Sequence, residues 1–257
     1  MPALDTIFQG RVGVWQPTKE EGYRFNVDSL LLAAFALRYT DDSASVLELG
    51  SGSSVIGLAM LHHRPYASYL GLERQEPLAS LARRSIEEAG LGNRATVKTG
   101  DLRDNGIDSA AYDVVVFNPP YFPAGRGRSS QIVGRREARE ALHGDIDDFL
   151  RAASHALKPD GLVFAVVRPE RRSEVFKHCG SQHLRIVEIC EVLTCREGKH
   201  QLDLMLIRRG GPNIEQPSIS ELVLHIEKGS RTYTDAVNAF LSGEADSLTP
   251  DAFCTKT

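Results

Sequence analysis

The chain has 257 residues and a formal net charge of −4, and 42% of its residues are hydrophobic and 25% charged. This composition is that of an ordinary folded protein, so it argues against a disordered chain, a fibre or a low-complexity tail. The slightly acidic balance gives no general sign of nucleic-acid binding, which would have to come from local basic patches.

Three further features narrow the class of protein. The longest unbroken apolar run, Leu30 to Leu37, is too short to span a membrane, and no basic stretch leads into an apolar core near Met1, so we expect a cytoplasmic protein. The four cysteines lack C-x-x-C spacing, which favours reduced thiols. The eight histidines form no H-x-x-x-H or H-E-x-x-H group, so we expect no metal centre.

The predicted elements begin with a short hairpin over residues 7–16 and a helix over residues 28–38. From residue 45 to residue 207, short apolar runs alternate with amphipathic helices, which is the pattern of an α/β protein. The predicted core strands are residues 45–49, 68–73, 95–99, 112–117, 162–167, 184–193 and 202–207. Four core helices are predicted. The first covers residues 53–63, and the second has Pro77 in its first turn and Gly90 at its end. The third is capped by Asp145, and the fourth covers residues 170–179.

These elements predict a seven-stranded, mostly parallel sheet with helices on both faces. The strand at residues 112–117 is continuously apolar after Asp113, as expected of a strand buried on both faces. Because only residues 195–200 separate the last two strands, we expect them to pair antiparallel.

The same pattern predicts how the chain is divided. Residues 45–210 form the α/β core, and residues 1–44 pack on it as a hairpin and a helix. Residues 211–257 form an extension, with a strand-like run at 222–226 and a helix at 234–241.

A glycine turn follows the first core strand. Gly50 permits the tight turn, and Gly52 lets the backbone approach a ligand because no Cβ stands in the way. A dinucleotide fingerprint would need a third glycine at position 55, where this chain has Val55. Alone, the two glycines are equally compatible with an ordinary strand–helix turn.

Acidic residues follow the next two strands. Glu73 ends the second strand, where its carboxylate can accept hydrogen bonds from both hydroxyls of a ribose. Asp101 follows the third strand and could accept from an adenine amino group while Leu102 packs on the ring. Taken singly, Glu73 could be a surface residue and Asp101 a helix cap, but together at the carboxyl ends of strands they favour a nucleoside-containing cofactor.

The tetrapeptide Asn118-Pro119-Pro120-Tyr121 comes directly after the fourth strand. An amine conjugated to a ring, or an amide nitrogen, is a poor nucleophile because its lone pair is delocalised. The Asn118 side-chain oxygen and the Pro119 carbonyl could accept its N–H groups, while Tyr121 stacks on a planar substrate. The alternative is a rigid turn leaving the strand.

These motifs together resemble a known family. The run from Glu48 through Gly50 and Gly52 is similar to the acid-x-Gly-x-Gly-x-Gly motif of Rossmann-like class I S-adenosylmethionine (SAM) methyltransferases, with Ser54 at the third glycine. Residues 118–121 resemble the branch of that class that methylates amino groups. Gln16-Pro17 and residues 22–33 resemble the bacterial tRNA adenine-N6 methyltransferases, which modify the adenine 3′ to the valine-tRNA anticodon. The resemblance covers nearly the whole chain up to the last predicted core strand.

The resemblance implies SAM as the cofactor, RNA as the partner and N6 of a tRNA adenine as the methylated atom. Phe25 to Asp28 would line the methionine end of SAM, although Asp28 could also cap the following helix. The implied cofactor-binding residues are Phe25, Asp28, Glu48, Gly50, Ser51, Gly52, Glu73, Arg74, Asp101, Leu102 and Asn118. The implied target-amine site is Asn118, Pro119, Pro120 and Tyr121.

Other substrate classes fit the sequence less well than tRNA. Glutamine methyltransferases of release factors carry a helical domain before the SAM motif, and the 44 residues before the first core strand are too few for one. DNA adenine methyltransferases usually add a recognition domain, and guanine-N2 enzymes of rRNA tend to have phenylalanine in place of Tyr121. A non-enzymatic alternative is an inactive SAM- or nucleotide-binding partner subunit, which the complete amine site disfavours.

An arginine-rich loop over residues 122–144 is the candidate RNA contact. It leaves the catalytic tetrapeptide directly, so its arginines could meet the phosphates that flank the target base. These arginines are Arg126, Arg128, Arg135, Arg136 and Arg139. The alternative is a solvated loop in which two of them pair with Glu137 and Glu140.

Overall fold

The computed structural model describes residues 2–18, 24–104, 106–120, 145–210 and 216–244, together with the backbone of residues 254–255. The strands are β1 (Ala3–Ile7), β2 (Val12–Gln16), β3 (Ser45–Leu49), β4 (Ser68–Glu73), β5 (Ala95–Thr99), β6 (Tyr112–Phe117), β7 (Leu157–Val167), β8 (Leu184–Leu193), β9 (His200–Arg209), β10 (Ser218–Val223) and β11 (Cys254–Thr255). The helices are α1 (Val27–Leu37), α2 (Val55–His63), α3 (Glu76–Glu88), α4 (Ile146–Ala156), α5 (Arg172–Ser181) and α6 (Asp235–Leu241).

The predicted α/β fold with a mostly parallel sheet is confirmed. The sheet order is β11-β10-β8-β9-β7-β6-β3-β4-β5, and β3 to β7 run parallel. Strand β9 runs antiparallel to both of its neighbours, β7 and β8, as the short link between β8 and β9 predicted. Among the described residues, no helix combines the length and apolar composition that crossing a bilayer requires.

The sheet has nine strands in the described part of the chain, so the predicted count of seven was too low. Strand β10 pairs parallel with β8, and β11 pairs antiparallel with β10. The sequence placed a strand-like run at 222–226 because those residues are apolar, but the pairing begins at Ser218 and ends at Val223. Backbone pairing with β8, and not hydrophobicity, therefore sets the bounds of this strand.

Strand β7 begins earlier than predicted. Tyr112 pairs with Leu157 and Val114 with Leu162, so the four residues 158–161 bulge out of the ladder instead of forming a separate turn. A Cβ at Gly161 would lie 2.6 Å from the Leu157 side chain, so this crowded bulge needs glycine.

The core lies on both faces of the sheet. Along β6, Val114 and Val116 pack with α1, α2 and α3, whereas Val115 and Phe117 pack with α4 and α5 on the other face. This alternation is the period of two expected of a strand, and here both faces are covered.

The N-terminal hairpin packs against α3. The Trp15 backbone N–H donates to the hydroxyl of Ser85 at 2.8 Å, and the Trp15 indole N–H donates to Glu88 at 2.7 Å. The hairpin runs over residues 3–16 and so starts before residue 7, where the sequence placed it.

Strand order decides where the site forms. Strands β3 and β6 are parallel neighbours, with Leu49 paired to Phe117. Because the next residues along both strands leave the sheet at its carboxyl edge, Gly50 and Asn118 lie side by side. The carboxyl ends of β4 and β5 open onto the same edge.

Candidate active site

The glycine turn after β3 has the conformation that glycine allows. Gly50 has a φ of +64° and Gly52 a φ of +55°. A Cβ at Gly50 would lie 3.2 Å from the ring of Phe149 on α4, whereas a Cβ at Gly52 would meet nothing within 4 Å. Gly50 therefore belongs to the packing of the turn, and Gly52 leaves open space in front of it.

Ser54 occupies a third left-handed position in this turn, with a φ of +56°, and is fully buried. A glycine at this position of the motif would allow close packing of the helix on the strand. The structure puts the closest approach one helical turn later, at Gly57, where a Cβ would lie 2.2 Å from the ring of Tyr69 on β4.

Glu48 lies beneath the turn. Its carboxylate accepts hydrogen bonds from the Gly57 backbone N–H at 2.9 Å and from the Tyr69 hydroxyl at 2.6 Å. Burial is the main cause that raises the pKa of this carboxyl to about 8, and the nearby Glu73 contributes a smaller part of that rise. With 1% of its surface exposed, Glu48 has almost none to offer a ligand, so we assign it to supporting the turn.

Glu73 connects the end of β4 to the glycine turn. One carboxylate oxygen accepts the Gly52 backbone N–H at 2.8 Å, and the other accepts the Gln75 backbone N–H at 2.8 Å. A carboxylate offers about four lone-pair directions, so these two bonds leave capacity for ribose hydroxyls.

The carboxylate of Asp101 contacts two arginines, and the sequence predicted neither contact. Arg103 donates to both carboxylate oxygens, at 2.9 and 2.5 Å, and Arg74 lies 3.5 Å away. The hydrogen bonds from Arg103 lower the pKa of the Asp101 carboxyl to about 2, so it is ionised at neutral pH. Leu102 is partly buried against the core beside α4.

Asn118 is oriented by a partner on another element. Its side-chain NH₂ donates to the hydroxyl of Ser29 on α1 at 3.0 Å. Its side-chain oxygen is buried and has no hydrogen-bond partner among the described residues. Pro119 is buried and Pro120 half-buried, whereas Tyr121 and the five arginines of the loop lie outside the described residues.

The segment before α1 borders the same site. The Phe25 backbone N–H donates to the side chain of Gln16 in β2 at 2.9 Å, which ties the hairpin to this segment. Asp28 is not the helix cap: the Asn26 side chain caps α1 by accepting the Asp28 backbone N–H at 3.1 Å, and it also donates to the Asp28 carboxylate. Gln16 and Ser29 lie in the segments that carry the family resemblance, but their contacts were not predicted because the partners are distant in sequence. No local pattern marks Arg103 as a partner of Asp101.

A cluster of three titratable side chains, separate from this site, lies on β8 and β9. Ligand atoms of Glu191, His200 and Asp203 lie within 4.8 Å of one another. The guanidinium of Arg172 donates to Asp203 and Glu191, both at 2.8 Å or less, so an internal cation already occupies this position. We assign this group to anchoring the start of α5 to the sheet.

The described residues fit SAM at the carboxyl edge of the sheet. The space in front of Gly52 leaves room for a ligand against the backbone. The buried hydroxyl of Ser51 has no hydrogen-bond partner among the described residues. Glu73 and Asp101 add acceptors in the order in which a nucleoside needs them.

Comparison with known proteins agrees with this geometry. A crystal structure described as a predicted O-methyltransferase from Agrobacterium tumefaciens superposes with a TM-score of 0.66 at 23% identity, covering 84% of this chain and 96% of that one. The fold and the site define a SAM-dependent methyltransferase of the class I fold. The sequence model of the methyltransferase small domain matches residues 26–183, so the chain belongs to that family.

Curated relatives of two kinds match this chain. Among those named tRNA1(Val) (adenine(37)-N6)-methyltransferase, one from Bacteroides fragilis is 33% identical over 62% of this chain and 65% of its own length, and one from Aeromonas hydrophila is 30% identical over 82% and 86%. A release factor glutamine methyltransferase from Geobacter sulfurreducens is 34% identical over 52% of this chain and 49% of its own length. The resemblance to the tRNA adenine-N6 methyltransferase family is thereby confirmed.

Proposed function

We propose that this enzyme methylates the exocyclic N6 nitrogen of an adenine in tRNA. The observation that carries the proposal is the Asn118 side chain at the end of β6. Its oxygen is buried beside the glycine turn without a hydrogen-bond partner among the described residues, so it is available to an N–H group of a substrate.

The chemistry follows from what each residue can do. SAM supplies a methyl group that its sulfonium already activates. The Asn118 oxygen and the Pro119 carbonyl accept the two N–H groups of the target amine, which favours a pyramidal nitrogen with its lone pair directed away from the ring. Glu73 and Asp101 hold the nucleoside end of the cofactor. Because the methyl donor is already activated, these residues act mainly by positioning.

The relatives support tRNA over a protein substrate. The alignment with the Aeromonas hydrophila tRNA enzyme covers 86% of that protein, whereas the alignment with the Geobacter sulfurreducens enzyme covers 49% of its length. The stacking role of Tyr121 and the phosphate contacts of the arginine loop remain predictions from the sequence.

A protein glutamine amide is the second candidate. It is favoured by the 34% identity to the release factor enzyme, and an amide nitrogen needs the same two acceptors that Asn118 and Pro119 offer. Both candidates share the cofactor half of the site and differ in what the acceptor pocket receives.

The test is a methyl-transfer assay with several acceptors in parallel. Labelled SAM is offered to total tRNA, rRNA, DNA and protein, and the products are hydrolysed and separated. We expect label in N6-methyladenosine from tRNA. Label in methylglutamine, or in guanine N2 from rRNA, would contradict the proposal.

The Asn118→Ala variant tests the assigned site. We expect methyl transfer to fall at least about 100-fold while SAM still binds, because one acceptor for the reacting amine is lost. Asn238→Ala, on the exposed surface of α6, is the matched control and should retain activity. Retained turnover in the Asn118 variant would refute the assigned role.

A further inference from the structure

Ser29 is a buried hydroxyl that lies against the proposed catalytic side chain. It belongs to the first turn of α1, is 4% exposed, and accepts a hydrogen bond from the Asn118 NH₂ at 3.0 Å. The two residues are 89 positions apart in sequence. Ser29 lies within residues 22–33, which carry the family resemblance, but no role in the site was predicted for it.

The orientation of the Asn118 amide matters because its two ends are chemically opposite. The oxygen accepts hydrogen bonds and the NH₂ donates them. A substrate amine presents N–H groups, so it needs the oxygen. If the amide turned over, two donors would face each other and the target nitrogen would not be held.

The surroundings of Ser29 keep its hydroxyl in place. Asn26 caps α1 by accepting the Asp28 backbone N–H, and the residues from Asp28 to Leu37 are all buried. A serine one residue beyond this bonded pair, in a packed helix, has little freedom to follow Asn118 if the amide rotates.

We propose that Ser29 is a positioning residue that holds the Asn118 side chain in place by accepting a hydrogen bond from its NH₂ group, with the amide oxygen left for the methyl-accepting nitrogen. The inference rests on the proposed function of Asn118 as an acceptor for that nitrogen. Ser29 accepts from the NH₂ end, so the oxygen end is left buried and without a partner among the described residues, with its capacity to accept an N–H group unused.

The test separates a positioning role from a packing role. In Ser29→Ala the NH₂ of Asn118 loses its acceptor, and we expect kcat to fall about tenfold or more, with KM for RNA and Kd for SAM changed less than about twofold. Ser29→Cys preserves the side-chain volume but is a poor acceptor, so it should behave like the alanine variant. Ser29→Thr keeps the hydroxyl and should retain most of the activity.

Ser85→Ala is the matched control. Ser85 is also a buried helical serine, and its hydroxyl accepts the Trp15 backbone N–H far from Asn118. We expect it to change thermal stability but not kcat.

The outcomes distinguish the two proposals. Full kcat in Ser29→Ala or Ser29→Cys would overturn the positioning role, and a loss of activity in Asn118→Ala would then leave the proposed function standing. A folded Ser29→Thr variant as inactive as Ser29→Ala would overturn the positioning role as well. Full activity in Asn118→Ala would remove both.

Discussion

Individual carboxylate side chains of this site are held in place by hydrogen bonds. These bonds use part of the capacity of each carboxylate to accept hydrogen bonds. Glu73 accepts two backbone N–H groups, one of them from Gly52 in the glycine turn. Asp101 accepts both ends of the Arg103 guanidinium. Each carboxylate is therefore fixed in position before a ligand arrives, which reduces the entropy that binding would otherwise cost.

The Arg103→Ala variant tests this arrangement at Asp101. Arg103 is the main reason that the pKa of the Asp101 carboxyl is about 2, so its removal should move that pKa up toward the ordinary aspartate value. A carboxyl ¹³C titration by NMR measures the change. Arg74→Ala should shift it less, since Arg74 lies 3.5 Å away and contributes least of the named causes.

The affinity for SAM gives a second measurement on the same variants. If Asp101 holds the nucleoside end, losing Arg103 should weaken SAM binding because the carboxylate becomes mobile. An unchanged Asp101 titration in Arg103→Ala would contradict the assigned cause.

At the scale of elements, the position of α2 over β4 depends on one glycine. A Cβ at Gly57 would overlap the ring of Tyr69 at 2.2 Å, and the hydroxyl of that ring donates to Glu48. The helix, the strand and the buried carboxyl are therefore joined at a single point of close approach.

We expect Gly57→Ala to destabilise the protein by about 1–3 kcal/mol, even though alanine is the better helix former, because overpacking outweighs propensity. Thermal or denaturant unfolding measures the loss. Gly180→Ala in α5 is the control, since a Cβ there meets nothing within 4 Å, and it should be neutral or stabilising by up to about 1 kcal/mol. Equal stability of the two variants would rule out the proposed overlap.

The elements that depend on local pattern were the ones that the sequence predicted well. Strands β3 to β6 have the predicted bounds, because each is a short apolar or alternating run between clear turn signals. The start of β7 and the extent of β10 depend on pairing with another strand, which a local pattern does not contain. The same difference decides which parts of the site could be predicted. Gly50 and Gly52 lie within a local motif, whereas the hydrogen bond from Asn118 to Ser29 joins distant parts of the chain.

At the scale of the whole molecule, one buried carboxyl links stability to pH. The folded chain holds Glu48 with a pKa of about 8, against an ordinary value of 4.5. Between these two values the folded state keeps a proton that the unfolded state releases. The contribution of Glu48 to the free energy of unfolding is therefore fully present below about pH 4.5 and is lost as the pH rises toward 8.

The Glu48→Gln variant should flatten this dependence. A single group of this kind contributes a slope of up to about 1.4 kcal/mol per pH unit, and glutamine has no proton to release in this range. Unfolding midpoints measured from pH 5 to pH 8 for the natural chain and the variant make the comparison. Glu87→Gln on the exposed side of α3 is the control and should leave the slope unchanged, and a Glu48 variant with the same slope as the natural chain would refute the assignment.

Strand β3 stands between β4 and β6 in the sheet, and this order separates the side chains proposed to hold the cofactor from those proposed to hold the acceptor. Glu73 and Asp101 lie on one flank of that strand, while Asn118 and Ser29 lie on the other. Under the proposed function, substitutions at Ser29 would act on the acceptor half of the site and leave the contacts of Glu73 and Asp101 unchanged. If the proposed roles hold, changes on the acceptor flank alone would redirect methylation between a nucleic-acid amine and a protein amide while the methyl source stays the same.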